Sequence, residues 1–172
     1  IQTRADALGF DMNSGMQVGQ LLVSLAASKP GGRVLELGTG CGLGVAWLLS
    51  GMDAQSHLVS VDTDEGPQGI ARDVLGADAR VTFVLEDGGA VLERTEAGSY
   101  DLIFADAWPG KFSHLDEALG ALKPGGIYVV DDLLPQPNWP NGHQTNADAY
   151  MDDLRGREGF AFTQMDWATG VV

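Results

Sequence analysis

The sequence has little that would connect it to a membrane, to nucleic acid or to an oxidising compartment. It contains one cysteine, Cys41, so no disulfide can form within the chain. Ten Lys and Arg residues stand against 24 Asp and Glu residues, and the resulting net charge of -14 argues against a basic surface for phosphates or anionic lipids. No apolar run is long enough to span a membrane, and the start of the chain lacks a signal-peptide core. We therefore expect a cytoplasmic protein with no nucleic-acid or membrane partner.

The length and composition predict a single domain over residues 1–172. With 172 residues, 44% of them hydrophobic, the chain has enough apolar material for one core but not for two full domains. It begins without methionine and ends within an apolar run. We therefore expect further residues beyond both ends in the natural protein.

Strand-like and helix-like segments alternate along the chain. The predicted strands are residues 33–37, 57–62, 81–85, 100–105 and 127–131, and the predicted helices are residues 16–28, 45–49, 67–75, 112–122 and 147–155. This alternation is typical of a parallel sheet covered by helices on both faces. Two short runs near the end, 160–165 and 167–172, are close enough to pair as an antiparallel hairpin.

A glycine-rich loop, residues 38–44, lies between the first strand and the helix that follows it. In a doubly wound sheet the ligand binds beyond the carboxyl ends of the strands, where the strand order reverses, and this loop should lie there. Glycines allow a sharp turn and a close approach of the ligand, and Asp62 at the end of the second strand suits a ribose diol. The pattern alone describes a dinucleotide site equally well.

Glu36 distinguishes between the two kinds of cofactor. Its carboxylate precedes the loop, close to where a pyrophosphate would lie on the helix amino end, and would repel that group. S-adenosylmethionine carries an ammonium and a sulfonium instead, and an acidic wall favours both. Glu36 near the amino-acid end, Asp62 on the ribose and Asp87 near the adenine form a consistent set. For Asp62 or Asp87 alone, a turn or cap role is the alternative.

At this point the sequence resembles the class I S-adenosylmethionine-dependent methyltransferases, through VLELGTGCG at residues 34–42 and VSVD at residues 59–62. It is similar, more narrowly, to the O-methyltransferase family that includes catechol and caffeoyl-coenzyme A O-methyltransferases, through DLIFAD at residues 101–106 and LKPGGIYVVDD at residues 122–132. The resemblance implies an α/β, Rossmann-like, doubly wound and mostly parallel seven-stranded sheet, with the last strand antiparallel and helices on both faces. Members are often homodimers, although no long apolar helix here identifies an interface.

The resemblance also implies which residues contact the cofactor, S-adenosylmethionine. These are Met12, Ser14, Glu36, Gly38, Gly40, Asp62, Thr63, Asp87, Gly88 and Trp108. The glycine loop and the end of the fourth strand add Thr39, Gly42 and Asp106 to the predicted cofactor-binding residues.

Three aspartates at neighbouring strand ends predict a metal site. Asp106 closes the fourth strand, and Asp131 and Asp132 close the fifth, so their oxygens suit one Mg2+ or Mn2+ ion. Such an ion would lower the pKa of a hydroxyl substrate and hold its oxygen in line with the methyl group. The resembled family uses an Asp and an Asp-Asn pair, whereas this chain has Asp131-Asp132. The alternative is that the paired acids end a strand and cap a turn.

The proton acceptor is less defined by the sequence. The resembled family often has a lysine three residues after its fourth-strand Asp, whereas Lys111 follows Asp106 by five residues. Lys111 and Asp106 are the predicted catalytic residues, and a solvated lysine at a helix start is the alternative for Lys111. His114 and His143 are further candidate bases, each with a surface role as its alternative.

The predicted function is methyl transfer from S-adenosylmethionine to a small molecule, at a hydroxyl oxygen and with help from a divalent metal. Trp108 and Trp139 could form aromatic walls, and the Pro-rich segment 135–140 is predicted to cover the acceptor. Two alternatives remain open: a nicotinamide-dependent oxidoreductase and a non-catalytic cofactor-binding module.

Overall fold

The structure is a computed structural model of the 172-residue chain, and it describes residues 1–136, 139 and 142–172. The helices are α1 (Gln2–Leu8), α2 (Met16–Ala27), α3 (Leu43–Gly51), α4 (Glu65–Leu75), α5 (Gly88–Glu93), α6 (Leu115–Gly120) and α7 (His143–Gly156). The strands are β1 (Arg33–Leu37), β2 (His57–Asp62), β3 (Val81–Leu85), β4 (Tyr100–Ala105) and β5 (Leu122–Val130). In this part of the chain, no helix is long and apolar enough to cross a membrane.

The five strands form one parallel sheet in the order β3-β2-β1-β4-β5. The order reverses between β1 and β4, since the chain runs outward from β1 to β3 and then returns to the other side of β1. The carboxyl ends of β1 and β4 therefore border a crevice, which is where ligands bind in sheets of this kind. The predicted α/β Rossmann-like architecture is confirmed.

Alternation along the strands divides the core into two layers. Val34 packs with Leu102 and Phe104 on the face covered by α2 and α3. Leu35 and Ile103 point to the opposite face, where α5, α6 and α7 cover them. The central strands β1 and β4 are buried on both faces and are therefore nearly continuous apolar runs, and β1 to β4 were all predicted with the observed bounds.

The predicted seven-stranded sheet with an antiparallel last strand is not found among the described residues. Five strands are present, and all are parallel. The predicted hairpin of 160–165 with 167–172 is reduced to one antiparallel bridge between Met165 and Val171, while Val172 exchanges two backbone hydrogen bonds with Val130. The runs are short and mostly exposed, so they bury too little apolar surface to extend the ladder.

Some helices and strands begin at residues that the sequence did not predict, and local polar groups or turns set these ends. α5 was not predicted, and it begins because the Asp87 carboxylate accepts a hydrogen bond from Ala90 N at 3.0 Å. β5 begins at Leu122 instead of residue 127, with a register irregularity opposite Tyr100 and Leu102 that accommodates the Lys-Pro-Gly-Gly stretch. α1 was also missed, and α7 begins at His143.

Candidate active site

The glycine loop lies at the switch point, between β1 and α3. Gly38 has φ 102°, and a Cβ there would lie 2.7 Å from the carbonyl oxygen of Asp106, so only glycine fits. Gly38 N and Thr39 N both donate to the carbonyl oxygen of Val61, at 2.9 and 3.2 Å. These contacts hold the loop across the ends of β1, β2 and β4.

Asp62 fixes the shape of the loop from the end of β2. One carboxylate oxygen accepts a hydrogen bond from Gly40 N at 2.8 Å, and the other accepts one from Asp64 N at 2.9 Å. The side chain is half-buried and lines the cavity above the loop. Asp62 can therefore both cap the turn after β2 and contact a ligand in the cavity, the two roles that the sequence left open.

A cavity of about 390 Å³ opens above the glycine loop. Its lining includes most of the predicted cofactor-binding residues: Met12, Ser14, Gly38, Thr39, Gly40, Asp62, Thr63, Asp87, Gly88, Asp106 and Trp108. It also includes Leu43 and Gly44 of the predicted loop, and residues that the sequence did not indicate: Phe10, Asn13, Asp64, Pro67, Ala107 and Pro109. Asn13 and Asp64 could have been predicted, because they are close in sequence to the predicted contacts Met12 and Asp62. Nothing in the sequence pattern identified Phe10.

Glu36, a predicted cofactor contact, does not line this cavity. Its side chain is fully buried; one carboxylate oxygen accepts a 2.5 Å hydrogen bond from Ser60, and the other has no partner in the structure. A Cβ on Gly44 would lie 2.2 Å from that second oxygen, so the carboxylate lies under the first turn of α3. Burial raises the pKa of Glu36 well above its usual value, against the lowering effect of Ser60.

Gly42 also lies below the cavity instead of lining it. Its φ is 91°, and a Cβ there would lie 2.6 Å from the Cβ of Ala71. The absence of a side chain therefore lets α4 pack closely against the loop. Gly42 therefore has a packing role in the structure, and its predicted contact with the cofactor stays a prediction.

A second cavity, of about 340 Å³, adjoins the first. The two share Met12, Asn13, Ser14, Asp106, Ala107 and Trp108 as lining residues. Four rings gather at the second cavity: the Phe112 and His143 centroids are 5.1 Å apart, and those of Trp139 and His143 are 4.5 Å apart. Trp108 completes this aromatic group, with its centroid 4.8 Å from that of Phe112. Of the predicted covering segment, residues 137, 138 and 140 lie outside the described residues.

Lys111 enters the second cavity despite its displaced position in the sequence. Gly110, with φ 86°, turns the chain after Pro109, and the lysine is only 5% exposed. Its ammonium donates to the carbonyl oxygen of Asp131 and, at 3.0 Å, to that of Asp132. Burial lowers the pKa of Lys111, while the neighbouring carboxylates oppose that shift. The alternative of a solvated lysine is therefore wrong.

The three predicted metal ligands lie around this lysine. Burial raises the pKa of Asp106 well above its usual value, and the Asp131 and Asp132 charges raise it further. One carboxylate oxygen of Asp131 accepts hydrogen bonds from the Thr169 hydroxyl and, at 2.7 Å, from Asp132 N. No group of three Asp, Glu, His or Cys side chains arranged to hold a metal ion occurs within residues 1–136, 139 and 142–172. With the Lys111 ammonium among them, these residues do not fit the predicted divalent cation.

The two candidate histidines are in different surroundings. His114 precedes α6, and its Nε2 lies 3.5 Å from a carboxylate oxygen of Glu93. It lines neither of the two cavities described above. His143 starts α7 and lines the second cavity.

Comparison with known proteins agrees with this geometry. A family model described as a methyltransferase domain matches residues 35–133, more than half of the chain, so the chain belongs to that family. A Mycolicibacterium vanbaalenii protein named as an O-methyltransferase is 36% identical over 118 residues, which are 66% of this chain and 52% of that protein. The chain therefore spans about half the length of the curated relatives it matches.

Solved structures share the fold at lower sequence identity. The O-methyltransferase from Bacillus cereus in complex with S-adenosylhomocysteine superposes with a TM-score of 0.82 at 20% identity, over 99% of this chain and 85% of the other. The O-methyltransferase TomG from Streptomyces achromogenes, in complex with S-adenosylmethionine, gives a TM-score of 0.76 at 24% identity, over 94% and 80%. The class is that of the Rossmann-like methyltransferases.

Proposed function

We propose that this chain binds S-adenosylmethionine in the first cavity and transfers its methyl group to a hydroxyl oxygen of a small molecule in the second. The observation that carries the proposal is the junction of the two cavities at Asp106, Ala107 and Trp108. A donor above the glycine loop and an acceptor beside Lys111 meet there. The O-methyltransferase names of the relatives support the same reaction.

The charge of the first cavity supports S-adenosylmethionine over a dinucleotide. Asp62, Asp64, Asp87 and Asp106 all line it. A pyrophosphate would face these carboxylates without a basic residue in the cavity lining to offset them, whereas the ammonium and sulfonium of S-adenosylmethionine are attracted to them. Asp62 suits the ribose hydroxyls, and Asp87 suits the adenine end. Glu36 lies below the loop, so these four aspartates, and not Glu36, disfavour a dinucleotide.

The transfer moves one methyl group and releases one proton. The acceptor oxygen attacks the methyl carbon, the C–S bond breaks with its electron pair going to sulfur, and a C–O bond forms. Alignment of the oxygen with the C–S bond supplies much of the acceleration. We assign Lys111 and Asp106 to the surroundings of that oxygen, and we assign the hydroxyl proton to a base in the second cavity. No step is assigned to a divalent ion, because the three predicted ligands surround Lys111 instead.

The second cavity favours a flat acceptor. Trp108, Phe112, Trp139 and His143 surround it with rings. Stacked or edge-on contacts between rings add about 0.5 to 1.5 kcal/mol beyond the area that they bury. We therefore propose a phenolic hydroxyl as the acceptor class.

Calorimetric titration of S-adenosylhomocysteine and NADH into the protein tests the donor assignment. We expect S-adenosylhomocysteine to bind and NADH to give no heat; the reverse result would support an oxidoreductase. Incubation with methyl-labelled S-adenosylmethionine and a panel of phenols then tests the reaction. Label in an extracted phenol ether supports transfer, whereas binding without turnover across the panel would favour a non-catalytic cofactor-binding module.

A further inference from the structure

The acidic strand ends around the second cavity already contain a positive charge. We propose that the Lys111 ammonium is the resident cation of this cavity, held by the backbone carbonyl oxygens of Asp131 and Asp132 beside the Asp106 side chain, in the place where a divalent metal ion would otherwise bind. The location of the cation does not depend on the proposed methyl transfer. Its action on an acceptor oxygen rests on that proposed function.

The backbone before Lys111 is built to deliver the side chain inward. Gly110 adopts φ 86°, and a Cβ there would lie 2.5 Å from Cδ1 of Leu37. Tyr128 donates its hydroxyl hydrogen to the carbonyl oxygen of Gly110, which fixes the turn from the β5 side. A tightly packed turn leaves the lysine little freedom to swing out, in agreement with its 5% exposure.

Four oxygen atoms at the strand ends already accept hydrogen bonds from this lysine or from neighbouring donors. The Asp131 and Asp132 carbonyl oxygens accept from the ammonium. One Asp131 carboxylate oxygen accepts from Thr169, and one Asp106 carboxylate oxygen accepts from Ser14 at 3.2 Å. Mg2+ requires near-octahedral oxygen ligands, and these oxygens are oriented toward protein donors instead. A second cation beside the ammonium would also be repelled by it.

The ammonium retains one N–H for an acceptor. A lysine has three donors, and the structure describes two hydrogen bonds for Nζ, both to carbonyl oxygens. The third N–H can point into the cavity, where a hydrogen bond to the acceptor oxygen stabilises its deprotonated form. Lys111 thereby supplies the positive charge that the sequence assigned to a metal ion.

Mn2+ binding to the full chain, measured by electron paramagnetic resonance after removal of metals, tests the location of the cation. We expect no uptake by the wild type and saturable uptake by Lys111→Met, because that variant leaves three carboxylates without their cation. Lys29→Met is the matched control, since Lys29 also donates to a backbone carbonyl, that of Gly125, at 2.7 Å, but on the exposed surface. It should behave as the wild type.

Two outcomes overturn the proposal: wild-type uptake that Asp106→Asn removes, and no uptake by a folded Lys111→Met. If circular dichroism shows that Lys111→Met does not fold, the wild-type titration decides alone, and absence of uptake upholds the proposal. Calorimetry with S-adenosylhomocysteine on the same samples separates the two hypotheses. Failure of that binding would contradict the proposed function and leave the Mn2+ result standing.

Discussion

Two carboxylates that the sequence places in the same site, Asp62 and Glu36, have different environments. Asp62 ends β2 and lines the cavity, whereas Glu36 lies within β1 and points to the opposite side from Leu37. The period-two alternation of a strand contained this information, since Glu36 shares a face with Val34 and not with Leu37. The glycine motif shows that Glu36 is next to the loop along the chain. It does not show to which face of the sheet the Glu36 side chain points.

Replacement of Asp62 by alanine should weaken S-adenosylhomocysteine binding at least about tenfold, because a hydrogen bond to a charged group contributes about 1.5 to 3 kcal/mol. The variant also frees Gly40 N, which Asp62 now holds at 2.8 Å. Calorimetry measures the affinity. Asp152→Ala removes an exposed carboxylate of α7 and is the control; an equal loss in both variants would show that general charge, not the Asp62 contact, controls binding.

The buried carboxyl of Glu36 should make the protein less stable as the pH rises. Its pKa is raised in the folded state by burial, so the folded protein holds the proton at a pH where the unfolded chain, with a value near 4.5, has released it. This contribution to stability is complete below about pH 4.5 and is lost as the pH rises through the folded-state pKa.

Glu36→Gln should remove the loss of stability at higher pH, because the glutamine amide does not titrate. Urea unfolding between about pH 5 and about pH 8 should show the variant gaining stability over the wild type as the pH rises. Glu117→Gln changes an exposed carboxyl of α6 and should leave the pH dependence unchanged. Parallel curves for Glu36→Gln and the wild type would contradict the proposed origin of the effect.

At the scale of elements, β1 to β4 were predictable, whereas the ends of the chain were not. Strands that are buried on both faces can be recognised in the sequence as apolar runs, and the glycine loop indicates the turn after β1. The described residues after β5 form no extended ladder, so the closeness of two short runs along the chain was not sufficient to produce strands. α5 depends on one cap by Asp87, a residue for which a cap role was only an alternative.

The contact between α2 and α3 depends on glycines that bring the helices close together. A Cβ on Gly51 would lie 2.1 Å from the carbonyl oxygen of Val23, and one on Gly19 would lie 2.2 Å from Nε1 of Trp47. The first of these contacts is with backbone, which cannot rotate away. The two helices therefore cannot accept even a methyl group at Gly51 without separating.

Gly51→Ala should destabilise the protein by about 1 to 3 kcal/mol through overpacking. Gly69→Ala, within α4, is the matched control, since a Cβ there meets nothing within 4 Å. It should stabilise the protein by about 0.4 to 1 kcal/mol by restricting the unfolded chain. Urea unfolding measures both changes. Equal effects of the two substitutions would indicate that helix propensity, and not the approach of α2 to α3, determines the result.

For the whole molecule, sheet topology determines where the first cavity lies, and the sequence analysis expects the ligand at that same crevice. The reversal of strand order between β1 and β4 brings the glycine loop and Asp106 to one crevice, and the alternating sequence pattern was sufficient to predict that crevice. The position of Lys111 depends on the tight turn at Gly110 and on contacts with residues 20 and 21 positions away. No local pattern contains such information, so the sequence did not distinguish a metal site from a site occupied by a buried lysine.

The net charge of -14 and the acidic first cavity should make donor binding depend on salt. S-adenosylmethionine has a sulfonium charge that S-adenosylhomocysteine lacks, so the field of the protein attracts the donor more than the product. From about 0.01 to about 1 M salt the screening length falls from about 30 to about 3 Å. Calorimetry across that range should therefore show affinity for the donor falling more steeply than affinity for the product. Identical salt dependence for the two would mean that the acids do not lie near the sulfonium, and it would remove the electrostatic reason for preferring this cofactor.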